Sequence, residues 1–195
     1  MRTDYLPYYP VTMRRGAPLK LLVALLAIIF FSVAPRLQSL ATPETLSGTL
    51  VYVVDGDTLA IRIDKRLEKV RLIGIDTPES KVNQRAHRQS AASSRDVTTI
   101  VALGKQASQA MRDMVKAGTP VKLEFDVRER DKYGRLLAYA YLPDGTMINE
   151  AMLDRGYAQL LTIPPNVRYT ERFQSALKKS QSEKRGFWAD EGFKN

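Results

Sequence analysis

Two runs of β-branched and other apolar residues open the strand-rich part of the chain. They lie in the segment Gly48–Ile63, GTLVYVVDGDTLAIRI, on either side of an Asp-Gly dipeptide. Alternating apolar residues around Asp-Gly are typical of an antiparallel hairpin, so the pattern predicts two strands with acidic residues at their turn. After a polar stretch, 64–69, the sequence VRLIGID predicts a third strand, which ends where Pro78 cannot continue the ladder.

The second half of the chain carries further strand patterns and then changes to helical spacing. The segments Val121–Val127 and Leu136–Leu142 predict a second hairpin. Apolar residues at helical spacing, each series followed by a glycine, predict three helices, at Gly104–Ala117, Met147–Arg155 and Thr170–Arg185. These elements indicate an α+β fold, a five-stranded β-barrel with three α-helices.

The segment 80–103 interrupts this pattern. It is rich in Ser, Arg, Gln and Ala and has no sustained period. It is therefore predicted to be a mobile surface loop, inserted between the third strand and the first helix. The strands, the loop and the helices together assign residues 42–195 to one domain.

An unbroken apolar run, 21–34, precedes this domain and follows Arg14, Arg15 and Lys20. A cationic region followed by an apolar one is typical of a membrane-directed segment. Fourteen helical residues span roughly 21 Å, less than the roughly 30 Å hydrocarbon core, which favours a signal peptide cleaved after Ala41 over a membrane anchor. Residues 1–41 are thus predicted to export the domain to the periplasm, cell surface or medium, or to anchor it uncleaved in the membrane.

The composition is that of a globular protein with a basic surplus. The 195 residues are 44% hydrophobic and 26% charged, and the net charge is +9. Collagen-like, disordered and polytopic membrane proteins are excluded, and a polyanionic partner such as nucleic acid or an anionic membrane is favoured. Because the chain has no cysteine, disulfides, thiol nucleophiles and thiolate metal sites are excluded as well.

Two acidic residues, Asp57 and Asp76, end neighbouring strand segments. A hairpin followed by an adjacent strand can bring both to one rim of the barrel. Carboxylates that converge without His or Cys form an oxygen site suited to calcium or magnesium. An Asp-Gly dipeptide alone is common in hairpin turns, so the hypothesis of a metal site depends on the charged residues nearby.

Three further charged residues accompany these acids. Arg71 lies within the third strand, Glu79 follows the bend after it, and Arg135 opens the fifth strand. A divalent cation and guanidinium groups offset charge that develops on phosphate oxygens, while a carboxylate positions or deprotonates the attacking water. The set therefore fits phosphodiester hydrolysis.

The motifs VVDGDTLAIRI, RLIGIDTPE and DKYGRLLAYAYL resemble, in order and spacing, the signature regions of the staphylococcal nuclease (thermonuclease) family. The resemblance spans about residues 47–190. It implies an OB-fold barrel with three helices that cleaves DNA and RNA with calcium.

The resemblance also implies roles for nine residues of this chain. The implied metal ligands are the carboxylates of Asp57 and Asp76 and the backbone carbonyl of Thr77. The implied catalytic residues are Arg71 and Arg135 at the scissile phosphate and Glu79 at the attacking water. The implied supporting residues are Lys132 and Tyr133 near the terminal phosphate of the nucleotide and Asp55 behind the metal ligands.

The chain departs from the family in two places. The family's best-known member packs two tyrosines beside the nucleotide base, and the matching stretch here, 161–166, has none, so base stacking is expected to be weaker or relocated. The loop 80–103 is longer than the family's usual connection. Its basic residues either follow a nucleic-acid backbone or only solvate the loop; they are Lys81, Arg85, Arg88 and Arg95.

Two function hypotheses follow. The first is a monomeric, calcium-dependent endonuclease that hydrolyses phosphodiester bonds of DNA, RNA or both. The alternative is a non-catalytic OB-fold module that binds nucleic acid or protein, since this barrel hosts many functions. All five charged side chains of the implied site are present in the chain, which favours the enzyme.

Overall fold

The computed structural model describes residues 43–93, 95–190 and 193. Within these residues the strands are β1 (Thr45–Asp55), β2 (Thr58–Ile63), β3 (Arg66–Leu72), β4 (Gly74–Asp76), β5 (Pro120–Glu124), β6 (Leu136–Tyr141) and β7 (Gln159–Leu161). The helices are α1 (Gln84–Ser93), α2 (Val97–Met114), α3 (Ile148–Asp154) and α4 (Thr170–Ser182), followed by a 3₁₀ turn, Gly186–Ala189.

Five strands close a barrel in the order β1-β2-β3-β6-β5, and β5 pairs back with β1. The first hairpin turns between Asp55 and Thr58, which are paired across the ladder, as the Asp-Gly pattern predicts. The pairs are antiparallel except for β3 and β6, which run parallel with Val70 opposite Leu136. The predicted α+β fold with a five-stranded OB-type barrel is confirmed.

The core fills the barrel and continues under the helices. Inward-facing strand residues such as Leu59, Ile61 and Leu123 are fully buried, and Ala107 and Met111 of α2 belong to the same cluster. Truncating one of these leucines to alanine would cost about 2–5 kcal/mol. The barrel is therefore a rigid frame for the residues at its rim.

The predicted third strand is divided in two. The strand begins at Arg66, inside the stretch assigned to a polar connection, and β3 leaves the barrel after Leu72. Gly74 has φ +81°, and a Cβ there would lie 2.4 Å from a ring carbon of Phe173. Only glycine fits this bend, and the chain beyond it forms β4, which pairs with β7, a strand that the sequence pattern does not indicate.

The prediction of a mobile loop at 80–103 is wrong, because the segment forms α1 and the first part of α2. Asn83 and Asp96 begin these helices: Asn83 Oδ1 accepts the Ala86 N–H at 2.8 Å, and Asp96 Oδ1 accepts the Thr99 N–H at 2.8 Å. Such side-chain caps satisfy amide groups at a helix start. Helix α1 buries only Ala86, which explains why no apolar period marks it.

The helices differ from the predicted set in number and in their ends. The described residues contain four α-helices rather than three, and α2 begins at Val97, well before Gly104. It ends at Met114, where Val115 turns to an extended conformation, so Gly118 does not cap it. The helix predicted at Met147–Arg155 is confirmed as α3, and α4 ends at Ser182, before the predicted Arg185.

Among the residues that the structure describes, no helix combines the length and the apolar character of a membrane span. The predicted leader, 1–41, with its apolar run 21–34, lies outside the described residues. Its role as a signal peptide or an anchor stays a prediction, as does the domain boundary at residue 42.

Candidate active site

The tip of the first hairpin contacts the chain that leaves β4. Asp57 is 3% exposed, and its Oδ2 accepts hydrogen bonds from the Thr77 backbone N–H at 2.9 Å and from Thr77 Oγ1 at 3.1 Å. Asp55 supports the turn, since its Oδ1 accepts the Asp57 N–H at 3.2 Å. A Cβ on Gly56 would lie 2.8 Å from both Thr77 Oγ1 and the Ala107 side chain, so this close approach requires glycine.

Arg71 connects the two candidate metal-binding carboxylates. Its Nη1 forms an ion pair with Asp57, and its Nη2 donates to Asp76 Oδ1 at 2.8 Å and to the Ile75 carbonyl at 3.0 Å. The residue is 7% exposed. Burial lowers the pKa of Arg71 from its ordinary value, and the Asp76 carboxylate opposes that shift. The guanidinium keeps its charge because its ordinary pKa is so high.

Glu79 is held by three side chains around helix α1. Its backbone N–H donates to Gln89 Oε1 at 2.9 Å, its Oε1 pairs with Arg85 Nε at 3.1 Å, and its Oε2 accepts from Asn83 Nδ2 at 2.8 Å. Arg85 also pairs through Nη2 with Asp76. Helix α1 therefore fixes Glu79 beside Asp76.

Arg135 is oriented by Asp131 within the turn before β6. Asp131 Oδ2 accepts from Arg135 Nε at 2.7 Å, and Asp131 Oδ1 accepts the backbone N–H groups of Tyr133 and Arg135 at 2.9 and 3.0 Å. Burial would raise the pKa of Asp131, but these hydrogen bonds outweigh it and leave the pKa below the ordinary value. Tyr133 is 73% exposed, and the charged groups of Lys132 and Arg135 lie 5.1 and 5.7 Å from its ring centre.

A cavity of about 430 Å³ is lined by the cations of this region, whereas Asp57, Asp76 and Glu79 are not among its lining residues. Arg71 and Arg135 both line it, with Lys132 and Arg85, so the two arginines named from the sequence face one space. Part of its apolar lining comes from the stretch 161–165, which contains no tyrosine. A space that combines fixed cations with an apolar wall suits a nucleotide, which has both a phosphate and a base.

Comparisons with known proteins identify the family of the chain. Residues 69–190 match the family model described as staphylococcal nuclease homologue. The chain belongs to the staphylococcal nuclease family. A thermonuclease of Staphylococcus hyicus is 31% identical over 178 residues, which is 87% of this chain and 96% of that protein.

Two Bacillus subtilis proteins are also similar. Endonuclease YncB is 32% identical over 164 residues, 80% of this chain and 71% of that protein. The prophage-derived endonuclease YokF is 34% identical over 152 residues, 77% of this chain but 46% of that protein, so this chain spans less than half of its length. The family and these relatives support a phosphodiester-hydrolysing endonuclease, as the sequence predicts.

The family's implied metal site can be tested against these contacts. No cluster of three or more His, Cys, Asp or Glu side chains occurs in the part of the chain that the structure describes. The donors implied by the family are instead two carboxylates, Asp57 and Asp76, and the Thr77 carbonyl, which accepts from Gln89 Nε2 at 3.3 Å. This all-oxygen set fits a hard cation, and the guanidinium groups on both carboxylates mark the place as one that attracts positive charge.

No sequence pattern identifies the residues of α1 that hold Glu79 beside Asp76. From the sequence alone, Arg85 is only a basic residue of a predicted loop, and no role is predicted for Asn83 or Gln89. The helix has no apolar stripe, so its one detectable signal is Asn83, a favoured cap residue, before a run rich in Gln, Arg and Ala.

Proposed function

We propose that the protein is a calcium-dependent nuclease that hydrolyses phosphodiester bonds of DNA, RNA or both. One observation carries the proposal: Arg71 and Arg135 line the same cavity, and Arg71 also contacts both Asp57 and Asp76. Phosphate-binding and cation-binding groups are thus adjacent, as attack on a phosphate requires.

The proposed metal ligands are Asp57, Asp76 and the backbone carbonyl of Thr77, with Asp55 holding the turn that carries Asp57. A bound calcium ion would supply positive charge beside the phosphate. Thr77 already orients Asp57, and the Arg71 guanidinium contacts both carboxylates, so calcium would have to displace this guanidinium from the carboxylate oxygens that it binds.

Glu79 is the proposed general base. It would accept the proton of the attacking water on a carboxylate oxygen, while that water's oxygen bonds to phosphorus and the leaving alkoxide departs. Glu79 Oε1 forms an ion pair with Arg85 Nε, and Glu79 Oε2 accepts one hydrogen bond, from Asn83 Nδ2. A carboxylate oxygen has two lone pairs, so Glu79 keeps capacity for the water.

Arg71 and Arg135 are the proposed phosphate-binding cations. Arg135 uses Nε for Asp131, and its two terminal nitrogens have no hydrogen-bond partner among the described residues. They are therefore available for two phosphate oxygens, which a guanidinium binds as a fork. Lys132 and Tyr133 are proposed to hold the terminal phosphate of the nucleotide.

The test measures cleavage of plasmid DNA and of RNA by the full chain, purified in mild detergent. Each substrate is incubated first with calcium and then with a chelator. Glu79→Gln and Arg135→Ala should each lower the rate by about 10²-fold or more, with unchanged circular dichroism. The matched controls are Glu171→Gln and Arg62→Ala, which change exposed residues elsewhere. Undiminished cleavage by either site variant would reject the mechanism, and retention of nucleic acid without cleavage would support the binding module instead.

Export and the monomeric state belong to the same proposal. We expect cleavage after Ala41, or retention of the domain at the membrane through residues 21–34, because of the apolar run and its cationic flank. Fractionation of cells, the mature N-terminal sequence and the mass of the purified protein in solution test these points. A cytoplasmic protein with an intact N-terminus would contradict them.

A further inference from the structure

A second concave surface lies beside the candidate active site. It has a volume of about 400 Å³ and is lined by Lys69, Arg85, Arg88, Tyr133 and Arg135. We call it the α1 groove. Arg85 and Arg135 also line the first cavity, so the two spaces share a wall, and no acidic residue is among the residues that line the groove.

Two cations of the α1 groove lack an acidic partner. Lys69 is exposed on β3 and makes no ion pair with any residue that the structure describes. Arg88 is exposed on α1, and its Nη2 donates to the neutral Gln84 Oε1 at 3.1 Å. Other arginines near the barrel do have an acidic partner, as Arg130 has in Glu68. Unpaired cations gathered in a concavity create a positive potential that favours an anion.

The positions of these cations on α1 and β3 explain why they converge. Arg85 and Arg88 are three residues apart on α1, so they lie on one face of the helix. Lys69 and Arg71 are two residues apart on β3, so they lie on one face of the strand, roughly 6.6 Å apart. Arg71 lines the first cavity and Lys69 lines the α1 groove. The two anion sites are therefore offset along β3, as neighbouring phosphates are along a nucleic-acid strand.

The exposed ring of Tyr133 adds a second recognition element. It is flanked by the charged groups of Lys132 and Arg135. An aromatic ring among cations is the combination with which proteins bind an unpaired strand, the ring contacting a base and the cations contacting phosphates. The two other basic residues of the segment do not line the groove: Lys81 precedes the helix, and Arg95 lies over the ring of Phe193.

We propose that the α1 groove is a phosphate-binding subsite for the nucleic-acid backbone next to the cleaved phosphodiester. The proposal rests on the nuclease function for its place in catalysis, but binding at the groove can be measured without cleavage. Helix α1 then has two roles, since Arg85 and Asn83 hold Glu79 and Arg88 binds the strand with Lys69.

The first experiment measures binding of a fluorescent single-stranded 12-nucleotide DNA to the full chain in mild detergent and chelator. Arg88→Ala and Lys69→Ala should each weaken binding about five-fold, and each should reduce the slope of log affinity against log salt by about 0.7. Arg112→Ala is the control for Arg88, because it is an exposed helix arginine that also donates to a glutamine, Gln109. Lys122→Ala, an exposed strand lysine, is the control for Lys69.

The second experiment compares cleavage of the 12-nucleotide strand with cleavage of a chromogenic ester that has one phosphodiester. The Arg88 and Lys69 variants should raise KM about five-fold for the strand alone and leave cleavage of the small ester unchanged. If the control variants lost as much affinity for the strand as the groove variants, the effect would come from net charge alone, and the subsite would be rejected. Binding of both variants like the wild type, with the same salt slope, would also overturn it.

The two proposals fail separately. A wild-type chain that binds the strand at the groove but cleaves neither substrate would reject the nuclease function and leave the subsite intact. A chain that cleaves both substrates, with groove variants that bind and cleave like the wild type, would reject only the subsite.

Discussion

The guanidinium of Arg71 forms an ion pair with the carboxylate of Asp57, and both side chains are almost inaccessible to solvent, at 8% and 4% exposure. The same guanidinium also binds Asp76. One cation thus separates two carboxylates that would otherwise repel each other at the barrel rim. Without Arg71, the buried Asp57 carboxylate would lose its ion-pair partner.

Arg71→Ala should therefore destabilise the fold in chelator. Removing one partner of a buried ion pair costs about 3–5 kcal/mol, because the remaining charge is buried without compensation. Calcium should recover part of this loss, since a cation between the carboxylates replaces the guanidinium. The measurement is urea unfolding with and without calcium.

The control for this prediction is Arg130→Ala. Arg130 is about half exposed and pairs with Glu68 at 3.0 Å, and surface pairs contribute about 1 kcal/mol or less. An Arg71→Ala protein as stable in chelator as Arg130→Ala would contradict the bridging role. If Arg71→Ala were equally destabilised with and without calcium, a calcium ion would not take the place of the Arg71 guanidinium.

Arg85→Ala should increase calcium affinity. Arg85 pairs with Asp76 and Glu79, so its positive charge competes with a bound cation. Its removal should tighten calcium binding about five-fold, the equivalent of about 1 kcal/mol. Calorimetric titration of the nucleic-acid-free protein measures this, with Arg88→Ala as the control on the same helix. Unchanged or weaker calcium binding would show that Arg85 supports the ligands rather than competing for them.

The stability contributed by Asp131 should depend on pH in the acid range. Its pKa in the folded protein lies below the ordinary value of 3.8. The contribution is therefore fully present above that ordinary value and is lost as the pH falls below it, towards the folded-state pKa. Thermal unfolding of the wild type and Asp131→Asn should differ by a constant amount at neutral pH and converge in strong acid. A gap that is as large in strong acid as at neutral pH would reject the charge-based explanation, and Asp113→Asn, which changes an exposed acid on α2, serves as the control.

The barrel could be predicted because the sequence patterns that specify its strands and turns are local. The alternating runs around Asp55 and the turn at Asp57 specify a hairpin, and the second hairpin carries the same pattern. The convergence of Arg71 and Arg135 on one cavity followed from the order of the motifs. These features depend on residues that lie close together in the sequence or on a recognised succession of strands.

The remainder depends on contacts that no local pattern reveals. The glycine at the Gly74 bend is required by the ring of Phe173, about a hundred residues later in the chain. Helix α1 buries one alanine and is defined mainly by its cap and its contacts with Glu79. Polar contacts of this kind leave no period, so the segment that holds the proposed base was assigned to a loop.

Gly104 gives the last prediction, because it presses helix α2 against the backbone of Glu79. A Cβ at this position would lie 2.3 Å from both the carbonyl carbon and the carbonyl oxygen of Glu79, and 2.6 Å from the Pro78 carbonyl oxygen. An alanine inside an ordinary helix stabilises it by about 1 kcal/mol relative to glycine. Here Gly104→Ala should instead cost about 1–3 kcal/mol, since backbone has to move to admit the methyl group.

That movement should also reduce catalysis, because a displacement of about 1 Å at a catalytic group can cost about 10²-fold in rate. We expect kcat on a single-phosphodiester ester to fall while circular dichroism still reports a folded barrel. Lys105→Ala, at the adjacent exposed position of α2, should leave both stability and kcat unchanged. A Gly104→Ala protein that is more stable than the wild type and fully active would mean that the backbone of Glu79 adjusts without consequence, and that α2 does not position the proposed base.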